Sequence, residues 1–220
     1  MANSRTKIVS MDKMARDPIL GSVLVRLMMV INDFSVANDA LGFWRHTTSH
    51  RRLLRRGDAL RYFVAVQVSH VYEGMLTIIE EIERSPQLAA AVQSCDAPTR
   101  SEFALLSTYR KSPEFGKVMA RIRNNLAFHY DDKLAARALI SFVREHPGQY
   151  RAISMGTDAL DWYFEPGSVI RERVGVREVF KIPASADARE EADKILSDLH
   201  GVSDVFGRFA GNFIWQCTSA

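Results

Sequence analysis

The sequence predicts a mainly α fold, a helical bundle with a small antiparallel β insertion before the C-terminal helix. Three observations carry this. Apolar residues recur at three- and four-residue intervals through most of the chain. Asp17-Pro18 and Ser112-Pro113 each place a capping residue before a proline, as at the start of a helix. Between residues 150 and 182 the pattern changes to short runs of β-branched and aromatic residues separated by turn residues. At 220 residues, 47% hydrophobic and 25% charged, the chain has material for a substantial core without disulfides. With no internal repeat and no linker, 1–220 is read as one domain, with a helical core over 17–146, a β insertion over 150–183 and a C-terminal helix over 185–216.

Residues 1 to 16 are polar without a period and read as a frayed end. From Pro18 to about Trp44, Leu20, Leu24, Leu27, Ile31 and Phe34 keep helical spacing. The basic stretch that follows reads as a loop. Gly57-Asp58 then opens a second helix, capped by Asp58 and carrying Phe63, Val64, Val68, Val71, Met75 and Ile79 as far as Glu83. Ser85-Pro86 breaks it. Short helices are expected over 87–92 and 101–111 with a turn over 94–99, then helices over 113–130 and 133–145. Tyr150–Ser154, Ala159–Glu165 and Glu178–Ile182 read as strands, with turns at Gly156-Thr157-Asp158 and Pro166-Gly167. Ser185 is expected to cap the final helix, whose Gly201, Gly207 and Gly211 would admit another backbone closely.

Several function classes are disfavoured. Gly-x-Ser-x-Gly, P-loop and Gly-x-Gly-x-x-Gly sequences do not occur, which argues against the common hydrolase, NTPase and dinucleotide-binding designs. Cys95 and Cys217 have neither CxxC nor metal spacing and read as unpaired thiols of a reducing compartment. The N-terminus lacks a signal-like apolar core. The most apolar run, Ile19 to Ile31, contains Arg26 and is too short and charged to span a bilayer. A cytoplasmic protein with no membrane association, no cofactor and no metal is expected. His46 and His50 have i, i+4 spacing without a third ligand nearby, and His70 with Glu73 reads as a structural pair.

Net charge is only +3, but Arg45 to Arg56 holds five arginines and no acid. Arg45, Arg51, Arg52, Arg55 and Arg56 would favour a polyanion such as RNA. Alternatively they pair with acids elsewhere, such as Glu80, Glu81 and Glu83. Trp162-Tyr163-Phe164 reads as sheet packing or as a surface for stacking bases or sugars.

The stretch most suggestive of chemistry is Arg123-Asn124-Asn125-Leu126-Ala127-Phe128-His129. On an α-helical wheel Arg123 and His129 border the apolar stripe from opposite sides. Arginine can grip a phosphate with its planar fork, and histidine can move a proton near neutral pH. Arg123, Asn124 and His129 match Arg-x4-6-His with a polar residue after the arginine. In this the chain resembles the HEPN superfamily of helical bundles, over about residues 17 to 146. The resemblance implies a metal-independent endoribonuclease or RNA-binding protein of toxin or defence type, a homodimer with facing motifs, and a protein antitoxin as a further partner. It assigns His129 to acid–base work, Arg123 to phosphoryl charge and Asn124 to orientation. The other reading of the same residues is a helical dimerisation or interaction module, with Arg123 paired to a carboxylate such as Glu73.

Overall fold

The computed structural model describes residues 6–48, 50–127, 132–155, 157, 162–183 and 185–218. It is a mainly α bundle with one two-stranded antiparallel sheet. Helix α1 (Met11–Arg16) replaces the expected frayed end, because the Ser10 side chain accepts from the Lys13 N–H at 3.3 Å and starts a turn. Helix α2 (Pro18–Arg45) has the predicted opening, with Asp17 accepting from the Leu20 N–H at 3.0 Å ahead of the proline. Its Gly21 lies against the backbone of α1, where a Cβ would stand 2.4 Å from the Met14 carbonyl oxygen.

Helix α3 (His50–Gly74) corrects the reading of the basic segment. Residues 50–57 are helical, and Asp58 caps nothing. Instead it binds Arg61 at 2.9 Å and the Ser168 hydroxyl. Polar residues with good helix propensity continue the helix that the apolar run downstream stabilises, and Gly57 within it does not break it. The helix passes through a π-helical turn, Met75–Ile79, into α4 (Glu80–Arg84). Ser85 then ends it and caps α5 (Pro86–Gln93), accepting from the Leu88 N–H at 3.4 Å.

Helix α6 (Ala97–Lys111) starts earlier than expected because Asp96, accepting from the Thr99 N–H at 3.0 Å, is its cap and Pro98 lies in its first turn. It is braced to α4 by Arg110, which pairs with Glu80 and Glu83. Burial pushes the Glu83 carboxyl up, but hydrogen bonds from Ser107 and Arg110 outweigh it and hold the group below the usual value. Helix α7 (Pro113–Ile122) continues as a second π-helical turn, Arg123–Ala127, and α8 (Asp132–Glu145) follows.

Among the described residues the β element is one short pair, and 159–161 of the second expected strand and Gly156 and Asp158 of the expected turn lie outside them. β1 (Ile153–Ser154) pairs antiparallel with β2 (Tyr163–Phe164), with Ile153 opposite Phe164 and Ser154 opposite Tyr163. The third expected strand is absent. Pro166-Gly167 lies in the first turn of α9 (Glu165–Arg173), which runs into a third π-helical turn at Val174–Val179. Pro166 pre-sets a helical φ there, so the pair expected to turn the chain opens a helix. Helix α10 (Ala188–Cys217) follows, and its first-turn acceptor is Asp187, bonded to the Glu190 N–H at 3.1 Å, where Ser185 was expected.

The core lies between α2, α3, α6 and α10. Phe206, Phe209 and Phe213 of α10 are fully buried in it, with Leu27, Val71 and Ile79. The close approach expected of the α10 glycines occurs elsewhere. Cβ atoms at Gly201, Gly207 and Gly211 would meet nothing within 4 Å, whereas one at Gly74 would stand 2.4 Å from the Phe206 ring. Gly74→Ala should therefore cost about 1–3 kcal/mol through overpacking. Gly211→Ala, on an exposed helical turn, should raise stability by up to about 1 kcal/mol. Urea unfolding checks both, and equal midpoints for the two variants would contradict this packing.

Candidate functional site

Two neighbouring regions gather the residues singled out in the sequence. The first is the π-helical turn Arg123–Ala127. Packing of α7 and this turn against α3 places the Arg123 guanidinium on Glu73, with which it forms an ion pair. Its Nη1 also donates to the Asn124 side-chain oxygen at 3.0 Å. The pair is 38% and 41% exposed, so solvent reaches both partners. His129 lies outside the described residues, as do the side chains of Arg51 and Arg52. Arg45 ends α2 in an exposed position and Arg56 is half-buried on α3.

Glu80, Glu81 and Glu83, the expected partners of the basic segment, are taken by Arg26, Arg84, Arg110 and Lys111. His70 faces Asp33 with 3.9 Å between Nδ1 and the carboxylate, while Glu73 is engaged by Arg123. The expected His70–Glu73 pairing is thereby replaced. Among the described residues no group of three or more His, Cys, Asp and Glu side chains could hold a metal ion.

The second region is a groove of about 690 Å³ beside that turn. Its walls are the first half of α3, the π-helical turn, α8, β2 and α9. Asn125 and Leu126 enter it from the turn, and Arg55 from the basic segment. Trp162, Tyr163 and Phe164 line it together with Trp44, Tyr62 and Phe63. Trp162 and Phe164 are 40% and 46% exposed, so the aromatic strand is an open surface of the groove and not only sheet packing.

Polar contacts fix this frame. Arg55 donates to the Trp162 carbonyl and ties α3 to β2. The Ser168 hydroxyl donates to Asp58 and ties α9 to α3. Arg61 bridges Asp58 at 2.9 Å and Glu172 at 3.1 Å. Arg171 donates to the Leu126 carbonyl at 2.7 Å, and its guanidinium carbon lies 5.6 Å from the centre of the Tyr62 ring. A wide π turn inside a helix disturbs the regular i to i+4 ladder. Arg171 supplies the Leu126 carbonyl with a donor from outside the helix.

Aromatic faces with guanidinium and amide donors at the rim suit a flat, anionic ligand. Sequence reasoning named Arg55 and the three aromatics but missed Tyr62, Ser168 and Arg171, and misassigned Asp58. A helix beginning before Gly57 would have put Arg55, Asp58 and Tyr62 on one face through their i, i+3, i+7 spacing. No comparable local signal announces Arg171. No family model, curated protein sequence or solved structure matches this chain.

Thiol chemistry has no place in either region. Burial pushes the Cys217 thiol up to about 12, with Cys95 beside it adding to the shift, and burial also raises Cys95. Both cysteines are free thiols. At pH 8 a thiol–disulfide reagent should label the folded protein at least about tenfold more slowly than the urea-unfolded chain. Equal rates would show the thiols to be more accessible than this packing allows.

Proposed function

We propose that this protein binds single-stranded RNA in the groove between α3, β2 and α9, as a HEPN-like RNA-binding protein of the cytoplasm. The observation that carries the reading is the convergence of Arg55, Asn125 and Trp162-Tyr163-Phe164, separated by up to 109 positions in sequence, on one open groove. Unpaired bases stack on aromatic faces for about 1–3 kcal/mol each, with little regard to identity. Arg55 supplies positive charge for a phosphate, and Asn125 supplies a donor and an acceptor for a base edge. A duplex hides its base faces and would gain little from this surface.

The groove shares the π turn with the Arg123-Asn124 segment, so RNA held there passes beside the motif. Cleavage, where it occurs, follows from the RNA's own 2′-OH. The 2′-oxygen attacks phosphorus as a base takes its proton, the P–O5′ bond breaks, and the leaving oxygen is protonated. The products are a 2′,3′-cyclic phosphate and a 5′-OH end. His129 is the proton-transfer group and Arg123 the phosphoryl partner in this reading. Arg123 must then leave Glu73. An ion pair this exposed holds it by about 0–1 kcal/mol, so its release is easy. The same ion pair favours the second reading, a helical interaction module in which Arg123 is a structural residue.

Fluorescence anisotropy with labelled single-stranded and duplex RNA of one sequence tests the binding proposal. Wild type should prefer the single strand, and Trp162→Ala or Arg55→Ala should weaken binding by about tenfold or more. In EDTA, cyclic-phosphate products from wild type but not from Arg123→Ala or His129→Ala would establish the motif as catalytic. RNA binding without cleavage would limit the function to binding. Absence of binding by the folded protein would leave the interaction module.

A further inference from the structure

Three arginines meet at a smaller cavity, separate from the groove. Gly167, Ser168, Ile170 and Arg171 of α9 line the groove, whereas Val169, Glu172 and Arg173, on the opposite face of the helix, line this cavity. It has a volume of about 300 Å³. Its other walls are the end of α8, Arg151 ahead of β1, and Val176 and Arg177 of the turn Val174–Val179.

The guanidinium groups here have more donors than the protein supplies acceptors. The Arg173 side chain is only 11% exposed. Its Nη2 donates to the Ser141 hydroxyl at 2.7 Å and pairs with Glu145, but its buried Nε has no acceptor. Arg177 donates from Nη1 to the Ile182 carbonyl at 2.7 Å and forms no ion pair among the described residues. Arg151 donates to the Gln149 side chain at 2.6 Å, and its Nε stands 3.6 Å from Glu165, too far for a hydrogen bond. The Phe142 ring braces it, with the guanidinium carbon 5.4 Å from the ring centre. Buried donors without acceptors are costly and rare in folded proteins.

The charges do not balance either. The one acid on the cavity wall, Glu172, is engaged from the other side by Arg61 at 3.1 Å. Glu145 competes from beside the cavity. The hydrogen bond from Arg173 outweighs the desolvation of Glu145 and, with the charge of Arg177, holds its carboxyl below the usual value. Setting Glu145 against Arg173 and Glu165 against Arg151 still leaves Arg177 uncompensated.

We propose that this cavity binds a phosphate dianion, free or carried by a small organic molecule, with Arg151, Arg173 and Arg177 as its donors. A phosphate monoester presents three acceptor oxygens and close to two negative charges, and planar guanidinium forks match that geometry. A carboxylate offers fewer acceptors and a single charge. A nucleic-acid backbone carries one charge per phosphate and is met by cations strung along a track. Here the cations converge on one cavity, at the small end of the range for ligand sites. Val169 and Val176 give an organic part apolar contact. The proposal is independent of what the groove binds.

Isothermal titration calorimetry of the full chain with inorganic phosphate and with glycerol 3-phosphate tests it. Wild type should bind both saturably. Tighter binding of glycerol 3-phosphate would assign an organic phosphate, and equal affinity the free ion. Arg151→Gln and Arg177→Gln should each weaken binding by about tenfold or more while circular dichroism stays unchanged. Glu145→Gln, which removes the competing charge and keeps the shape, should tighten binding by about threefold. No saturable binding of either probe by the folded wild type, indifference to both arginine variants, or weaker binding by Glu145→Gln would overturn the proposal. Displacement of inorganic phosphate by single-stranded RNA without terminal phosphates would overturn it in favour of a backbone site.

Discussion

Phe206 rests against the bare α-carbon of Gly74, and the bundle is arranged around that contact. The ring occupies the space a side chain would need, so α10 lies close to α3 at that point, while Phe209 packs against Phe103 of α6. Immediately after Gly74 the chain takes a π-helical turn whose Met75, Ile78 and Ile79 are all buried. Packing holds the irregular turn on that side, while Leu76 and Thr77 face solvent. Hydrophobic burial stabilises a backbone geometry that local propensity alone does not favour.

The same helix positions both candidate regions. Tyr62 lines the groove and Glu73 holds Arg123, eleven residues further along α3, or roughly 16 Å at the rise of an α-helix. Because α3 is clamped on one side by α2 and on another by the turn Arg123–Ala127, the separation is rigid. Arg55 ties the groove wall at Trp162 to α3, and Ser168, Arg61 and Arg171 tie α9 to α3 and to the turn Arg123–Ala127.

Much of the fold was legible because caps act locally. Asp17-Pro18 starts a helix through a bond to the N–H three residues on, and such a signal needs no tertiary context. Ser112, read in the same way, precedes α7 without a side-chain cap bond, and Ser85-Pro86, read as a break, also caps the helix that follows. Pro166-Gly167 and Gly57-Asp58 misled for the complementary reason. A proline–glycine pair serves a turn or a helix N-terminus, and a glycine–aspartate pair can sit inside a helix when the residues on both sides continue it. The described π turns left no trace in the pattern, since tertiary packing and not local spacing accompanies them. The ion pair of Arg123 with Glu73 was anticipated as one alternative, because Glu73 is a charge among the apolar residues in the second half of α3. The groove was legible only in parts. Arg55, Asn125 and Trp162 each stood out, but nothing along the chain placed them together.

Arg171 and Leu126, joined by a 2.7 Å hydrogen bond, line the groove on one side. On the other they line a second, largely apolar cavity of about 490 Å³ between α3, α10 and the turn Val174–Val179. They form a partition between two compartments. A molecule that turns the guanidinium away from the Leu126 carbonyl to fill one compartment reshapes the wall of the other. Thermodynamic reciprocity then requires that occupancy of the second change affinity for the first by the same factor. Arg171 and Leu126 belong to both walls, so a change at either residue is felt in both compartments.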